Sequence, residues 1–228
     1  MTDKEYLDYR FYEIKTFIND SIKDIEKMES FTFKSLCMFS LLDTFVQNHF
    51  RGQKMKQINK FDNFLNEFLD IKNQYSWLNL TDPITLFYED KKLFLQHNIH
   101  IDTIDCLAEL NPYTINNLEI TKQIINLAKS TIPKKINQHK FTNLLYKRRS
   151  NLSHEANEIS ITFKSMQQEL LPQYYVIGNK DNCVKLVFPY IVIKNIVIDA
   201  INNYLKKYKE EGIDPFNNSV YYLNWYEE

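Results

Sequence analysis

The stretch KRRSNLSHE, Lys147 to Glu155, sets two arginines side by side and places a histidine five residues after the second. An arginine and a histidine can together cleave RNA without a metal. The ribose 2′-hydroxyl is the internal nucleophile. A neutral imidazole takes its proton, or an imidazolium protonates the leaving oxygen. The guanidinium offers a fixed fork of donors to the charge that builds on the phosphorane. Arg149 and His154 are the candidate pair. The competing reading is that both are polar residues of an ordinary helix, with His154 hydrogen-bonded to Glu155 or Glu158.

The surroundings favour an anionic substrate. No Asp or Glu occurs from Ile120 to His154, whereas that span holds Lys122, Lys129, Lys134, Lys135, Lys140, Lys147, Arg148 and Arg149. The whole chain carries a formal net charge of −1, so this is a local excess. The acids gather elsewhere, among them Asp3, Glu5, Asp8, Glu13, Asp20 and Asp24. Such asymmetry points to a polyanionic partner, phosphates first. The alternative is a solvated lysine-rich surface. Arginine, the better fork for phosphate, occurs four times in a chain whose cations are mostly lysine, and two of the four stand here.

The elements that must position the pair raise a difficulty. Phe141, Leu144, Leu145 and Leu152 share one face of an expected helix over 141–158, and Arg148 falls on that apolar stripe. Five residues at about 100° each place Arg149 and His154 about 140° apart on a straight helix. Either a helix boundary falls between them, capped by Ser150, Asn151 or Ser153, or the site combines residues from two copies across a twofold axis.

The rest of the chain reads as mainly helical. Its 228 residues contain only three glycines and six prolines, too few breakers for a hairpin-rich sandwich. Leu7, Phe11, Ile14, Phe17, Ile18, Ile22 and Ile25 recur at helical spacing over 5–29. A second helix, apolar on most of its circumference, runs from Phe31 to Phe50 with Gly52 as its stop. A third covers 54–71. The stretch 75–115 is broken by TDP and NPY and holds shorter helices at about 84–97 and 102–110; 116–130 is again helical. Ile159, Ile161 and Phe163 then alternate with polar residues, and QYYVIGNKDNCVKLVF reads as a β-hairpin. A last helix spans Pro189 to Glu211 with Gly212 beyond its end, followed by an aromatic tail over 213–228. That tail could stack bases or pack on its own domain.

Much chemistry is excluded. Neither G-x-x-x-x-G-K-[ST] nor G-x-G-x-x-G occurs, nor H-E-x-x-H, nor G-x-S-x-G. No histidine follows a carboxylate by three residues, and no further histidine or adjacent cysteine accompanies His97 and His100. No metal site and no cofactor is expected. Cys37, Cys106 and Cys183 are scattered and odd in number, which predicts a reducing compartment without disulfides, with Cys37 in the core. The charged start MTDKEYLDYR predicts no signal peptide, and no apolar run is long enough to span a bilayer, so a soluble cytoplasmic protein without membrane partners is expected.

RRSNLSHE resembles the R-x(4–6)-H motif of the HEPN superfamily, matched as Arg149-Ser-Asn-Leu-Ser-His154, and SLCMFSLLDTFVQNHF is similar to the apolar helix near the start of such proteins. The resemblance covers residues 5–60 and 116–211. It implies an antiparallel helical bundle, expected here over 1–228 as a single domain with a helical insertion at about 75–115; the β-hairpin at about 159–188 is not part of the family's minimal bundle and reads as a further insertion. It implies a homodimer whose two motifs meet in one cleft, and metal-independent endoribonuclease activity leaving a 2′,3′-cyclic phosphate, in phage defence or a toxin–antitoxin system with an antitoxin or defence-system partner. Arg149 and His154 carry over as catalytic. Lys134, Lys135, Lys140, Lys147, Arg148 and Asn151 are expected to hold the RNA. Family toxins controlled by a nucleotidyltransferase carry a tyrosine two residues after the histidine; Ala156 stands there, which speaks against that control. The alternative is a non-catalytic HEPN-like module that binds RNA or a protein.

Overall fold

The computed structural model describes residues 2–101, 111–155, 169–177 and 183–216, with backbone alone for 152–155, 175–177 and 183–185. The expected helix at 102–110, the alternation at 159–163, the turn of the hairpin and the tail beyond Phe216 lie outside the described residues. The fold is mainly helical, and the described residues include a two-stranded antiparallel sheet. The chain divides into two compact units, residues 1–69 with 194–228, and residues 70–193.

The first unit begins with α1, Asp3–Lys27, whose N-terminus carries a reciprocal capping box between Thr2 and Glu5. Its buried face is Phe11, Ile14, Ile18 and Ile25. Phe17, read as part of that face, is instead half exposed, because it lies nearly a quarter-turn off the buried stripe. α2, Phe31–His49, buries seven residues and is the central helix of its unit, as its all-round apolar surface predicts. Gly52 adopts φ +75° just beyond it, a conformation that costs glycine little. Cys37 is half-buried with its Sγ 3.9 Å from Met28 Sδ, not in the core, since it sits off the stripe that Met38, Leu42 and Phe45 bury. α3, Gln57–Phe68, packs Phe61, Phe64, Leu65 and Phe68 inward. The His49 ring stands edge-on to Phe64, Phe68 and Tyr204, with Tyr208 Oη 3.0 Å from Nδ1 and Glu67 Oε2 3.1 Å from Nε2.

The second unit is built from short helices. TDP and NPY do not merely interrupt it. Asp82 and Asn111 are N-caps, each followed by proline at the first helical position, and they start α4, Pro83–Glu89, and α6, Pro112–Asn117. The expected helix at 84–97 is two helices, because the backbone at Asp90 (φ −126°, ψ 32°) leaves the helical region before α5, Lys91–Gln96. α7, Glu119–Thr131, packs Ile124 and Ala128 against Leu86, Phe87, Phe94 and Ile99. α8, Pro133–Gln138, leads into α9, Phe141–Glu155, the motif helix. Strands β1, Gln173–Ile177, and β2, Cys183–Val187, pair with Tyr174 opposite Leu186 and Val176 opposite Val184.

The last helix, α10, Tyr190–Glu210, starts in one unit and continues in the other. It ends in a Schellman turn: Gly212 at φ +69° donates to Lys209 O, and Ile213 donates to Tyr208 O. Among the described residues no helix is long and apolar enough to cross a membrane.

Candidate nucleic-acid interface and catalytic pair

The motif helix is anchored at its start. Residues 80–82 clip antiparallel onto 139–141: Thr81 bridges Lys140, Asp82 N donates to His139 O at 2.8 Å, and Phe141 N donates to Leu80 O at 3.1 Å. Asp82 is the hub of this clip. Fully buried, it accepts from the N–H groups of Ile84 and Thr85, from the Thr85 hydroxyl, and from Tyr174 Oη at 2.8 Å. Desolvation raises the Asp82 carboxyl above its ordinary value, although these donors act to lower it. Burial raises the Tyr174 hydroxyl as well, with the Asp82 charge adding to the effect.

From that anchor α9 runs unbroken from Phe141 to Glu155. No cap at Ser150, Asn151 or Ser153 separates Arg149 from His154, so the two positions lie about 140° apart around one helix. Phe141, Thr142, Leu144 and Leu145 are buried, and Arg148 continues their stripe. Its Nε is shut off from solvent, and burial brings its guanidinium down to about 10, low for arginine. Arg148, expected at the RNA face, is therefore half-buried, because α9 turns its position inward. Arg149 is also half-buried, its Cζ 5.5 Å from the centre of the Tyr146 ring, three residues earlier on the helix. The His154 side chain lies outside the described residues.

The remaining expected contacts separate into two groups. Lys134 and Asn151 are exposed, and Lys140 is half-buried beside the Thr81 bridge. Lys135 and Lys147 meet carboxylates that sequence reasoning missed. Lys135 Nζ lies 2.6 Å from Asp90 Oδ2, and Lys147 Nζ lies 4.0 Å from Glu89 Oε1. Between them stands His139, also missed, whose side chain is 0% exposed. Its Nδ1 is 2.8 Å from Lys135 O, which fixes Nδ1 as the donor and turns Nε2 toward Glu89 Oε2 at 3.0 Å. This second approach has ion-pair distance without hydrogen-bond alignment. Among the described residues no three His, Cys, Asp or Glu side chains gather as a metal site would require.

Exposed Lys134 gives the cleanest electrostatic test, because reversing Lys135 would also break its pair with Asp90. Lys134→Glu is expected to weaken RNA binding about equally for all sequences. Wild-type affinity should fall steeply between low and physiological salt, as bound phosphates release counterions. A filter-binding titration that is flat across that range would overturn the assignment.

No family model matches the chain, and neither the curated proteins nor the solved structures contain a match to it.

Proposed function

We propose that this chain is a metal-independent endoribonuclease of HEPN type that acts as a homodimer, with Arg149 and His154 as its catalytic residues. The observation that carries the reading is the continuity of α9 through both positions within a segment free of acids. On one helix the two positions lie well apart around the axis. Phosphoryl transfer needs a proton carrier and a cation at the same phosphate. A twofold axis along residues 148–154 would supply both, the arginine of one copy meeting the histidine of the other, and would double the local positive potential. In this mechanism the His154 imidazole moves the proton of the 2′-hydroxyl or of the leaving 5′-oxygen, and the Arg149 fork holds the phosphorane oxygens.

A second reading has a specific observation in its favour. Arg148 is half-buried and Arg149 lies on the Tyr146 ring, as arginines that merely hold a helix in place would do. In that case the chain is a non-catalytic HEPN-like module that binds RNA or a protein. Incubating the purified protein with RNA in excess EDTA separates the two. Cleavage at an undiminished rate is expected; activity that vanishes in EDTA and returns with magnesium would mean a metal mechanism, and RNA bound but intact would favour the binding module.

A further inference from the structure

The proposed RNA face in the second unit is already partly occupied by the chain's own carboxylates. Glu89 closes α4 and Asp90 follows it, so two negative charges stand at one helix junction. Asp90 takes Lys135 at 2.6 Å; Glu89 takes the His139 ring at 3.0 Å on one oxygen and faces Lys147 at 4.0 Å with the other. Both lysines belong to the acid-free segment, which nevertheless finds its acids about 50 residues away in sequence.

The placement of these carboxylates is fixed from both ends of α4. His139 O accepts from Asp82 N at the start of that helix, and the buried His139 ring meets Glu89 at its end. His139 therefore holds α4 along its length and aims its last residue at the basic segment. The outer members are not locked away. Glu89, Lys147 and Lys135 are 44%, 47% and 35% exposed, and Asp90 is 20% exposed. A pair of that kind is worth only a small factor in water and can be exchanged for another anion. A phosphate oxygen offers each lysine the same partner as a carboxylate oxygen does.

Resting on the reading that this segment binds RNA, we propose that Glu89 and Asp90 form an acidic clasp. They occupy Lys135 and Lys147 in place of RNA phosphates and set how tightly the chain takes RNA. RNA entering this face displaces the carboxylates, so the clasp lowers affinity for any strand too short or too weakly held to do so. Loss of the clasp frees one lysine at each position.

The experiment measures binding of a labelled 2′-O-methylated single-stranded oligonucleotide, which lacks the nucleophile and stays intact. The proteins are the wild type, Asp90→Asn, Glu89→Gln, the double variant and Lys134→Glu. Asn and Gln keep the shape and remove the charge; thermal melts confirm that each variant is folded. Asp90→Asn is expected to bind about three- to ten-fold more tightly at low salt, and the double variant more tightly still. The slope of log affinity against log salt should steepen by about 0.7 per lysine freed. If the wild type binds and Lys134→Glu weakens it, but Asp90→Asn and Glu89→Gln bind no better than wild type, the clasp is overturned and the RNA reading stands. If none of the proteins binds, or Lys134→Glu has no effect, the RNA reading falls and the clasp with it.

Discussion

Replacing His154 by alanine is expected to abolish RNA cleavage, with a loss of about 10²- to 10⁴-fold, the usual worth of a positioned proton carrier. Arg149→Ala should cost a comparable amount, about 10²- to 10³-fold, because it removes preorganised donors from the developing phosphorane charge. Arg149→Lys should not restore the rate, since an ammonium is a point charge without the fork. Neither change should unfold the protein. Arg149 is half-buried against Tyr146 and lies off the stripe of Phe141, Leu144 and Leu145 that holds α9 in place. Circular dichroism and sedimentation should therefore match wild type. Mixing the two inactive variants is the sharper form of this prediction. With the site shared across a twofold axis, an Arg149→Ala/His154→Ala heterodimer keeps one intact pair and should recover part of the activity. A fully active monomer, or an active His154→Ala protein, would defeat the assignment.

The second large effect is on stability. Asp82→Ala should destabilise the protein by about 2–4 kcal/mol: about 1 for the lost N-cap of α4 and about 1–3 for the buried Tyr174 hydroxyl left without its acceptor. Asp82→Asn, whose Oδ1 can still accept from Ile84 N, Thr85 N and Tyr174 Oη while its amide nitrogen donates to the Thr85 hydroxyl instead, should cost much less. Its behaviour with pH carries the mechanism. Burial first of all raises the folded-state value of Asp82 above its unfolded value. The folded chain therefore binds the proton more tightly than the unfolded chain does. This contribution to stability is fully present below the unfolded value and is lost as pH rises through the raised folded value. Urea denaturation across that window should show a decline in wild type that Asp82→Asn lacks. Identical pH profiles for the two proteins would mean that Asp82 does not titrate in the fold.

The long helices were legible because their apolar residues repeat at three and four, and because Gly52 and Gly212 mark two of their ends. Phe17 shows the limit of that reading: a residue can satisfy the spacing and still fall at the edge of the buried stripe. The short helices were harder. α8 is six residues with no buried member, too short for periodicity to register, and the break at Asp90 is a backbone conformation that composition does not signal. In the candidate site, the inward turn of Arg148 followed from its place on the stripe of Leu144 and Leu145. The pairing of Lys135 and Lys147 with Asp90 and Glu89 did not, because it joins positions far apart in sequence through a loop closure that no local pattern encodes. His139 was missed for a related reason. Alone in the sequence it is one histidine of five, and its role depends on the clip that brings Leu80, Thr81 and Asp82 alongside it.

The central claim is that Arg149 and His154 drive attack by the ribose 2′-hydroxyl. It is tested most directly by reading the ends of the products that wild-type protein releases from RNA in excess EDTA. The account predicts 2′,3′-cyclic phosphate and 5′-hydroxyl ends, and none of these products from His154→Ala. Intact RNA, or fragments bearing 3′-hydroxyl and 5′-phosphate ends, would contradict it.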